Sequence, residues 1–588
     1  MDVTGAGMDV VATAGHVDHG KSTLVKALTG MEPDRWEEER RRGLTIDLGF
    51  AWTTLPSGRR LAVVDVPGHE KFVGNMLAGV GSVPAALIVV AADDGWSAQT
   101  AEHVAVLDAL GVRHGLLVVT KADAADPAPA LADALDRLAG TSLGRLPAVA
   151  ASARTGAGVP EVAAALESVL AGLPAPDVTA PVRLWVDRAF TIRGAGTVVT
   201  GTLAAGTVAV SDRLELGGRP VTVRGLQSLG EAVPTASATA RVALNLRGVA
   251  VEEVARGDAL LTPDAFRRTD ALDVTLVTPV EDRLPAELVV HVGSATVAAR
   301  VRPLDGSALR LRLTEPLPLR VGDRLLLRDP GTRRVLGADV RDVDPPELGR
   351  RGAARTRAAE LAEQPPGAGG ARADLARRRV VRRVDFVAMG WPVPPEATST
   401  GPWLLAPGLV EELAARVLPL VAGYRNRLPL EPGPPVEWVR QELGLPDAEL
   451  VAGVVRAPLA LRGGRVVVAG AGLPPAVQRA VDGVRARLAE SPFAAPEAGD
   501  LAAAGLGPRE LAAAVREELL VRIADAVYLA PGVEAEATAR LASVPQPFTL
   551  SQARTAWGTS RRVAVPLAEW LDARGVTERL PDNTRRLR

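Results

Sequence analysis

Short apolar runs alternate with helical patterns over the first part of the chain. Val10 to Ala14 is a continuous apolar run of the kind that forms a buried strand, and Leu61 to Val66, Ala85 to Ala91, Gly115 to Thr120 and Pro147 to Ala151 repeat it. From residue 8 to about 175 this alternation predicts a parallel sheet with crossover helices, an α/β domain. Pro174, Pro176 and Pro181 then mark a linker, and helical periodicity stops. Apolar runs separated by turn residues follow at Val182 to Val186, Gly196 to Leu203, Val221 to Leu226 and Arg241 to Leu246. They predict a β-barrel, and β character continues from 266 to about 345. Arg350 to Arg383 is arginine-rich and is interrupted at 365 to 370 by a Pro/Gly stretch expected to be a loop. Beyond it a weak repeat opens at Pro429-Leu430, Pro492-Phe493 and Pro547-Phe548. Each unit reads as a helix, a turn at Gly444, Gly507 or Gly558, a second helix and two short strands. Helix-turn-helix followed by a hairpin is the winged-helix plan.

Composition narrows this picture. A length of 588 residues suggests about four domains. No run of 18 or more apolar residues occurs, so no membrane span is expected, and the chain enters a strand too early to hold a signal peptide. With no cysteine, disulfides and thiolate metal sites are excluded, and the six histidines show no zinc spacing. A cytoplasmic monomer is expected. The net charge of −1 means that any nucleic-acid surface must be local. Of 68 basic residues, only Lys21, Lys26, Lys71 and Lys121 are lysine, and two of these lie inside phosphate-site or base-site motifs.

The candidate chemistry falls at the carboxyl ends of the predicted strands, where such sheets gather ligands. Gly15, His16, Val17, Asp18, His19, Gly20, Lys21 and Ser22 fit the phosphate loop G-x-x-x-x-G-K-[ST], with Thr23 opening the following helix. Successive backbone N–H groups would curl round a phosphate, Lys21 would reach the outer phosphates, and Ser22 would ligate Mg²⁺. Asp65 would hold the metal through water, Gly68 would offer its N–H to a γ-phosphate, and His69 would orient the attacking water. Thr45, in a charged segment, would add its hydroxyl to Mg²⁺ only when the third phosphate is present, which makes a switch. Asp123 would accept two hydrogen bonds from the guanine edge, donors that adenine lacks. Lys121 would cover one face of the base, and Ser152-Ala153 would supply a backbone N–H to its O6. GTP with Mg²⁺ is the expected ligand.

These motifs carry a family resemblance. The opening loop and Asp65-Val66-Pro67-Gly68-His69 resemble translational GTPases of the elongation factor Tu type. Arg42 to Phe50, Gly68 to Val73, Asp94-Gly95-Trp96 with Gln99 to His103, and Thr120-Lys121-Ala122-Asp123 resemble more closely the selenocysteine-specific elongation factor family, SelB. Elongation factor Tu begins the guanine motif with Asn; Thr120 departs from that but matches SelB, and its hydroxyl makes fewer contacts. The resemblance implies a second domain that holds the aminoacyl end of tRNA. There Asp187 and Arg188 match the Asp-Arg pair of the selenocysteine pocket, with Arg241 as the third member. A selenol is largely ionised at neutral pH whereas serine is not, so a cationic pocket discriminates by charge.

The resemblance also implies four C-terminal winged-helix modules, the last gripping an mRNA hairpin (SECIS). It divides the chain into a GTP-binding domain (1–175), barrels (176–265 and 266–345) and winged helices at 346–408, 409–473, 474–544 and 545–588. Residues 551 to 588 hold eight arginines and four acidic residues, a suitable local charge. Arg561 and Arg562 open the expected recognition helix, and Arg574 and Arg579 lie in the wing; with a splayed base to stack on, they are the candidate RNA contacts. The implied function is delivery of selenocysteyl-tRNA to the ribosome at UGA codons. Three alternatives stand beside it: a translational GTPase with a different tRNA, a sulfate-activation GTPase subunit, and a GTP-switched nucleic-acid-binding regulator.

Overall fold

The computed structural model describes residues 8–33, 47–67, 76, 79–81, 83–192, 194, 196–278, 280 and 282–588. It divides into two compact units, Met1–Arg377 with Val381–Pro395, and Arg378–Val380 with Glu396–Arg588.

The first unit begins with six strands: β1 (Met8–Ala14), β2 (Gly49–Thr54), β3 (Arg60–Asp65), β4 (Ala85–Ala91), β5 (His114–Thr120) and β6 (Ala148–Ala150). They lie in the order β2-β3-β1-β4-β5-β6. Among the helices that accompany them are α1 (Lys21–Thr29), α2 (Ala98–Ala109), α3 (Ala128–Ala139) and α4 (Val159–Ala171). Alternate residues of the central strands serve opposite faces. Val11, Leu87, Val89 and Val118 pack with Leu24 of α1 and Leu166 of α4, whereas Val10, Ile88, Val90 and Val119 pack with Leu107 of α2 and Leu138 of α3. Cover on both faces is why these strands read as unbroken apolar runs.

One strand departs from the expected parallel sheet. β2 pairs antiparallel with β3, in a register that sets Gly49 opposite Asp65. The chain turns between them at Leu55 to Arg59, held by Leu55 N–H on Arg59 O at 2.9 Å. So short a connection can join only antiparallel neighbours; a parallel pair needs a crossover.

Eight strands between Arg183 and Leu261 form one sheet, and Thr207–Ala209 pairs with Thr235–Ser237 in a second. The larger sheet's terminal strands β7 (Arg183–Trp185) and β8 (Arg188–Ile192) are separated by Val186 and Asp187 alone, so the sheet curls round on itself. β8 pairs with β9 (Gly196–Leu203), and β9 pairs with the strand Ala240–Arg247. Six further strands between Arg267 and Asp342 close into a barrel. The helix Ala353–Glu363 is tied to that barrel by buried charge. Asp273, with no exposed surface, takes Arg310 Nε at 2.6 Å and Arg357 Nε at 2.8 Å, while Asp342 takes Arg357 at 2.6 Å and Arg377 at 2.8 Å.

The Pro/Gly stretch expected as a loop is instead the start of a helix, Gly367–Arg378. A Cβ on Gly370 would lie 2.8 Å from the Trp391 ring, so the small residue serves close packing.

Helix, helix, helix, hairpin is the order of elements from Leu409 onward, three times over, and the elements from Ala353 to Leu405 follow it with one added strand, Val380–Arg382, before the third helix. The last three repeats lead with Leu409–Arg427, Pro475–Glu490 and Val533–Ala542. This leading helix precedes the proline that marked each unit in the sequence. Val533–Ala542, expected in the preceding module, leads the last one: Trp557 Nε1 donates to Ala537 O at 3.2 Å. The last two repeats share one apolar core, in which the rings of Phe493 and Trp557 stack with centroids 6.1 Å apart.

Candidate functional site

The turn from β1 to α1 is held in a conformation that glycine permits. Gly15 has φ +141°, and a Cβ there would sit 2.2 Å from Val89 O. Asp18 and Gly20 are also left-handed, at φ 65° and 77°. The Lys21 ammonium, largely buried, donates to Gly15 O at 3.1 Å and His16 O at 2.8 Å, so it lies across the mouth of the loop. Ser22 Oγ donates to Asp65 Oδ2 at 2.6 Å. Thr13 Oγ1 donates to the other carboxylate oxygen at 2.7 Å and accepts from Val66 N–H at 3.1 Å. The hydroxyl and carboxylate expected to share a metal are therefore already adjacent. An open glycine-bearing turn, a lysine at its mouth and a paired hydroxyl and carboxylate fit a nucleotide triphosphate with Mg²⁺. Thr45, Gly68 and His69 lie outside the described residues.

Side chains that the sequence reading did not assign brace this loop. Gln99 and His103, one turn apart on α2, face it together: His16 Nδ1 meets Gln99 Oε1, and Gly15 N–H donates to His103 Nδ1 at 3.1 Å. Burial, aided by the Lys21 ammonium, pushes the His103 imidazole down from 6.5 to about 3, so it stays neutral with Nδ1 as acceptor. His19 contacts Asp94 Oδ2 at 2.8 Å, and burial holds its imidazole below its ordinary range despite that carboxylate. The i, i+4 spacing of Gln99 and His103, and a threonine in the apolar run Val10 to Ala14, were the signals available.

At the end expected to hold guanine, Thr120 Oγ1 donates to His19 O at 2.7 Å, tying β5 to the phosphate loop. Lys121, at φ 55°, reaches Asp93 Oδ2 at 3.1 Å. Asp123 Oδ1 accepts from Ser152 Oγ at 2.6 Å and Oδ2 from Arg154 Nε at 2.8 Å. The Ser152 hydroxyl above all, with Arg154, holds the Asp123 carboxyl below the usual carboxylate range. The Ser152 N–H, expected to face a base, donates to Ala157 O at 2.8 Å, because the following turn closes on it. Of the expected pair, Ala153 N–H is left for that task, and Ser152 acts through its side chain.

Asp187, Arg188 and Arg241 come together beside the first, six-stranded domain, but not as a simple Asp-Arg pair. Asp187 is held bidentately by Arg241 and receives Thr200 Oγ1 at 2.6 Å. Arg188 reaches across to Asp47 Oδ2 at 2.7 Å and Leu48 O at 3.2 Å. Phe50 is near both cations, with the Arg241 guanidinium 3.9 Å and that of Arg188 5.7 Å from its ring centre. A cavity of about 200 Å³ opens there, lined also by Trp52, Phe190 and Gly230. Phe50, Trp52 and Asp47 escaped the sequence reading because they belong to a different domain from the arginines they face.

In the last repeat, Arg561 is exposed at the start of the helix Arg561–Ala573. Arg562 turns back instead: its guanidinium donates to the carbonyls of Ala495, Pro496 and Ala526 in the preceding repeat. Arg574 pairs with Glu534 and covers Trp570, and Arg579 donates to Asn583 Oδ1.

Comparison with known proteins agrees with this layout. Residues 8–172 match the elongation factor Tu GTP binding domain, 271–347 the beta-barrel domain of the selenocysteine-specific elongation factor, and 539–587 an elongation factor SelB winged helix. The selenocysteine-specific elongation factor of Escherichia coli (strain K12) is 42% identical over 356 residues, 58% of this chain and 56% of that one. That of Desulfomicrobium baculatum is 39% identical over 54% of this chain and 53% of its own, so the chain matches little more than half the length of these relatives. Elongation factor Tu 2 of Streptomyces avermitilis is 34% identical over 56% of this chain and 94% of its own. Among solved structures, the bacterial selenocysteine-specific elongation factor EF-Sec superposes with a TM-score of 0.77 at 26% identity, covering 99% of this chain and 100% of that one.

Proposed function

The chain belongs to the GTPases of the elongation factor Tu and SelB type, and on that premise we propose that it delivers selenocysteyl-tRNA to the ribosome at UGA codons. The observation that carries this reading is the pocket of Arg188, Arg241 and Asp187 around Phe50, where cations stand at the junction of the GTPase domain and the curled sheet. Its cations favour an ionised selenol over the neutral hydroxyl of serine. The backbone N–H groups of residues 16–21, Lys21 and Thr23 receive the phosphates, and Asp123 reads the guanine edge, with Lys121 and Ala153 beside the base. Ser22, Asp65 and Thr45 would hold Mg²⁺, which would neutralise phosphate charge. Gly68 approaches the third phosphate and His69 positions the water that hydrolyses GTP to GDP and phosphate. Arg561 leads the RNA contacts of the last winged-helix unit, which holds an mRNA hairpin. No helix among the described residues is long and apolar enough to cross a membrane, and a monomer working in the cytoplasm suits this role.

The test is GTP turnover by the full chain, with and without ribosomes carrying a UGA codon beside the hairpin and with selenocysteyl-tRNA supplied. Stimulation by the complete set is expected. Turnover indifferent to ribosomes contradicts the reading.

A further inference from the structure

Two cations line the aminoacyl pocket, and their settings differ. Arg241 and Asp187 are 13% and 6% exposed at the side chain and bonded through two contacts, with Thr200 on the same carboxylate. Drawing Arg241 toward an incoming anion would strand a buried carboxylate beside a hydroxyl, a costly exchange. Arg188 and Asp47 are 25% and 31% exposed, so water already weakens their attraction. Asp47 also has a second cation at hand, since Arg256 lies 3.7 Å from its other oxygen. Arg188 can leave Asp47 without stranding a charge.

We propose that Asp47 is a specificity-determining residue: it occupies Arg188 until an anionic side chain on the cargo displaces it, so Arg188 and not Arg241 receives that anion. This deepens the selenocysteyl-tRNA reading above and rests on it. Asp47 then acts as a built-in competitor. A neutral serine side chain gains nothing by displacing a carboxylate from a guanidinium, whereas a selenolate substitutes for it charge for charge. The Phe50 ring keeps both guanidinium planes in place while the partner is exchanged. Asp47 lies two residues before Gly49, which the β2–β3 ladder sets opposite Asp65 at the nucleotide site.

The experiment is equilibrium binding of selenocysteyl-tRNA and of seryl-tRNA on the same tRNA body, to the full chain loaded with a GTP analogue. Wild type, Asp47→Asn, Arg188→Ala and the double variant are compared. Asp47→Asn is expected to tighten selenocysteyl-tRNA roughly fivefold and leave seryl-tRNA unchanged. Arg188→Ala is expected to bring selenocysteyl-tRNA down to the level of seryl-tRNA, and Asp47→Asn to add nothing on that background. Three results overturn the proposal: Asp47→Asn weakening both tRNAs alike, as a mere brace between domains would; no change for either; or a gain that survives without Arg188. Wild-type protein that binds both tRNAs equally overturns the selenocysteine reading and this inference together, which separates that failure from the others.

Discussion

Single hydrogen bonds to single groups carry most of the nucleotide site. Thr120 illustrates how a local departure from a motif is absorbed. From the sequence, a threonine in place of asparagine promises fewer contacts; in the fold its hydroxyl is committed to the His19 carbonyl of the phosphate loop. Replacing it by valine keeps the shape and leaves that buried acceptor unpaired, at about 1–3 kcal/mol. Dissociation constants for GTP and GDP are therefore expected to rise roughly tenfold together, measured by titration with a fluorescent nucleotide. His103 gives a pH signature. Its imidazole stays neutral in the folded chain down to about pH 3, whereas the unfolded chain takes up a proton below 6.5. The folded-state value is depressed, so no penalty exists above pH 6.5, and stability is lost as pH falls from there toward 3. The loss amounts to about 1.4 kcal/mol at pH 5.5. His103→Asn keeps an acceptor for the Gly15 N–H and removes the titration, so denaturant unfolding at pH 7.5 and 5.5 should show a smaller difference in the variant.

Among the elements, those with a repeating pattern were legible and those set by distant partners were not. β1, β3, β4 and β5 announced themselves as apolar runs because both faces of their sheet are covered. β2 did not, since its mixed, half-exposed pattern comes from lying at an edge. The Pro/Gly stretch before Arg378 gave a loop signal that packing against Trp391 overrides. Charge buried between elements was invisible in sequence: Asp273, Asp342, Arg310, Arg357 and Arg377 are scattered over a hundred residues and converge only in the fold. Such a network is sensitive to loss of one member. Asp273→Ala leaves Arg310 and Arg357 without a carboxylate they share, and is expected to cost about 3–5 kcal/mol. The check is a lowered urea midpoint for the first unit, followed by fluorescence, with nucleotide affinity retained at low denaturant.

On the scale of the whole molecule, the proposed function assigns nucleotide and cargo to the first compact unit and RNA to the second. The phosphate loop, the guanine motif and the winged-helix repeats were readable because each is a local pattern. The pocket was readable only as three residues, since Asp47, Phe50 and Trp52 reach it from another domain. In the tail, adjacent arginines that look alike in sequence separate by geometry. Arg561→Ala is expected to weaken an mRNA hairpin about equally across loop sequences and to lower the salt slope by about one, as loss of one phosphate contact does. Arg562→Ala is expected instead to lower the unfolding midpoint of the last two repeats, whose carbonyls it bonds. Filter binding at several salt concentrations separates the two. The selectivity proposed for this GTPase rests on the charge of the aminoacyl side chain. Its most direct test is the affinity of the GTP-loaded chain for selenocysteyl-tRNA against seryl-tRNA on one tRNA body. Strong preference for the selenium form is the predicted result, and equal binding of the two would contradict it.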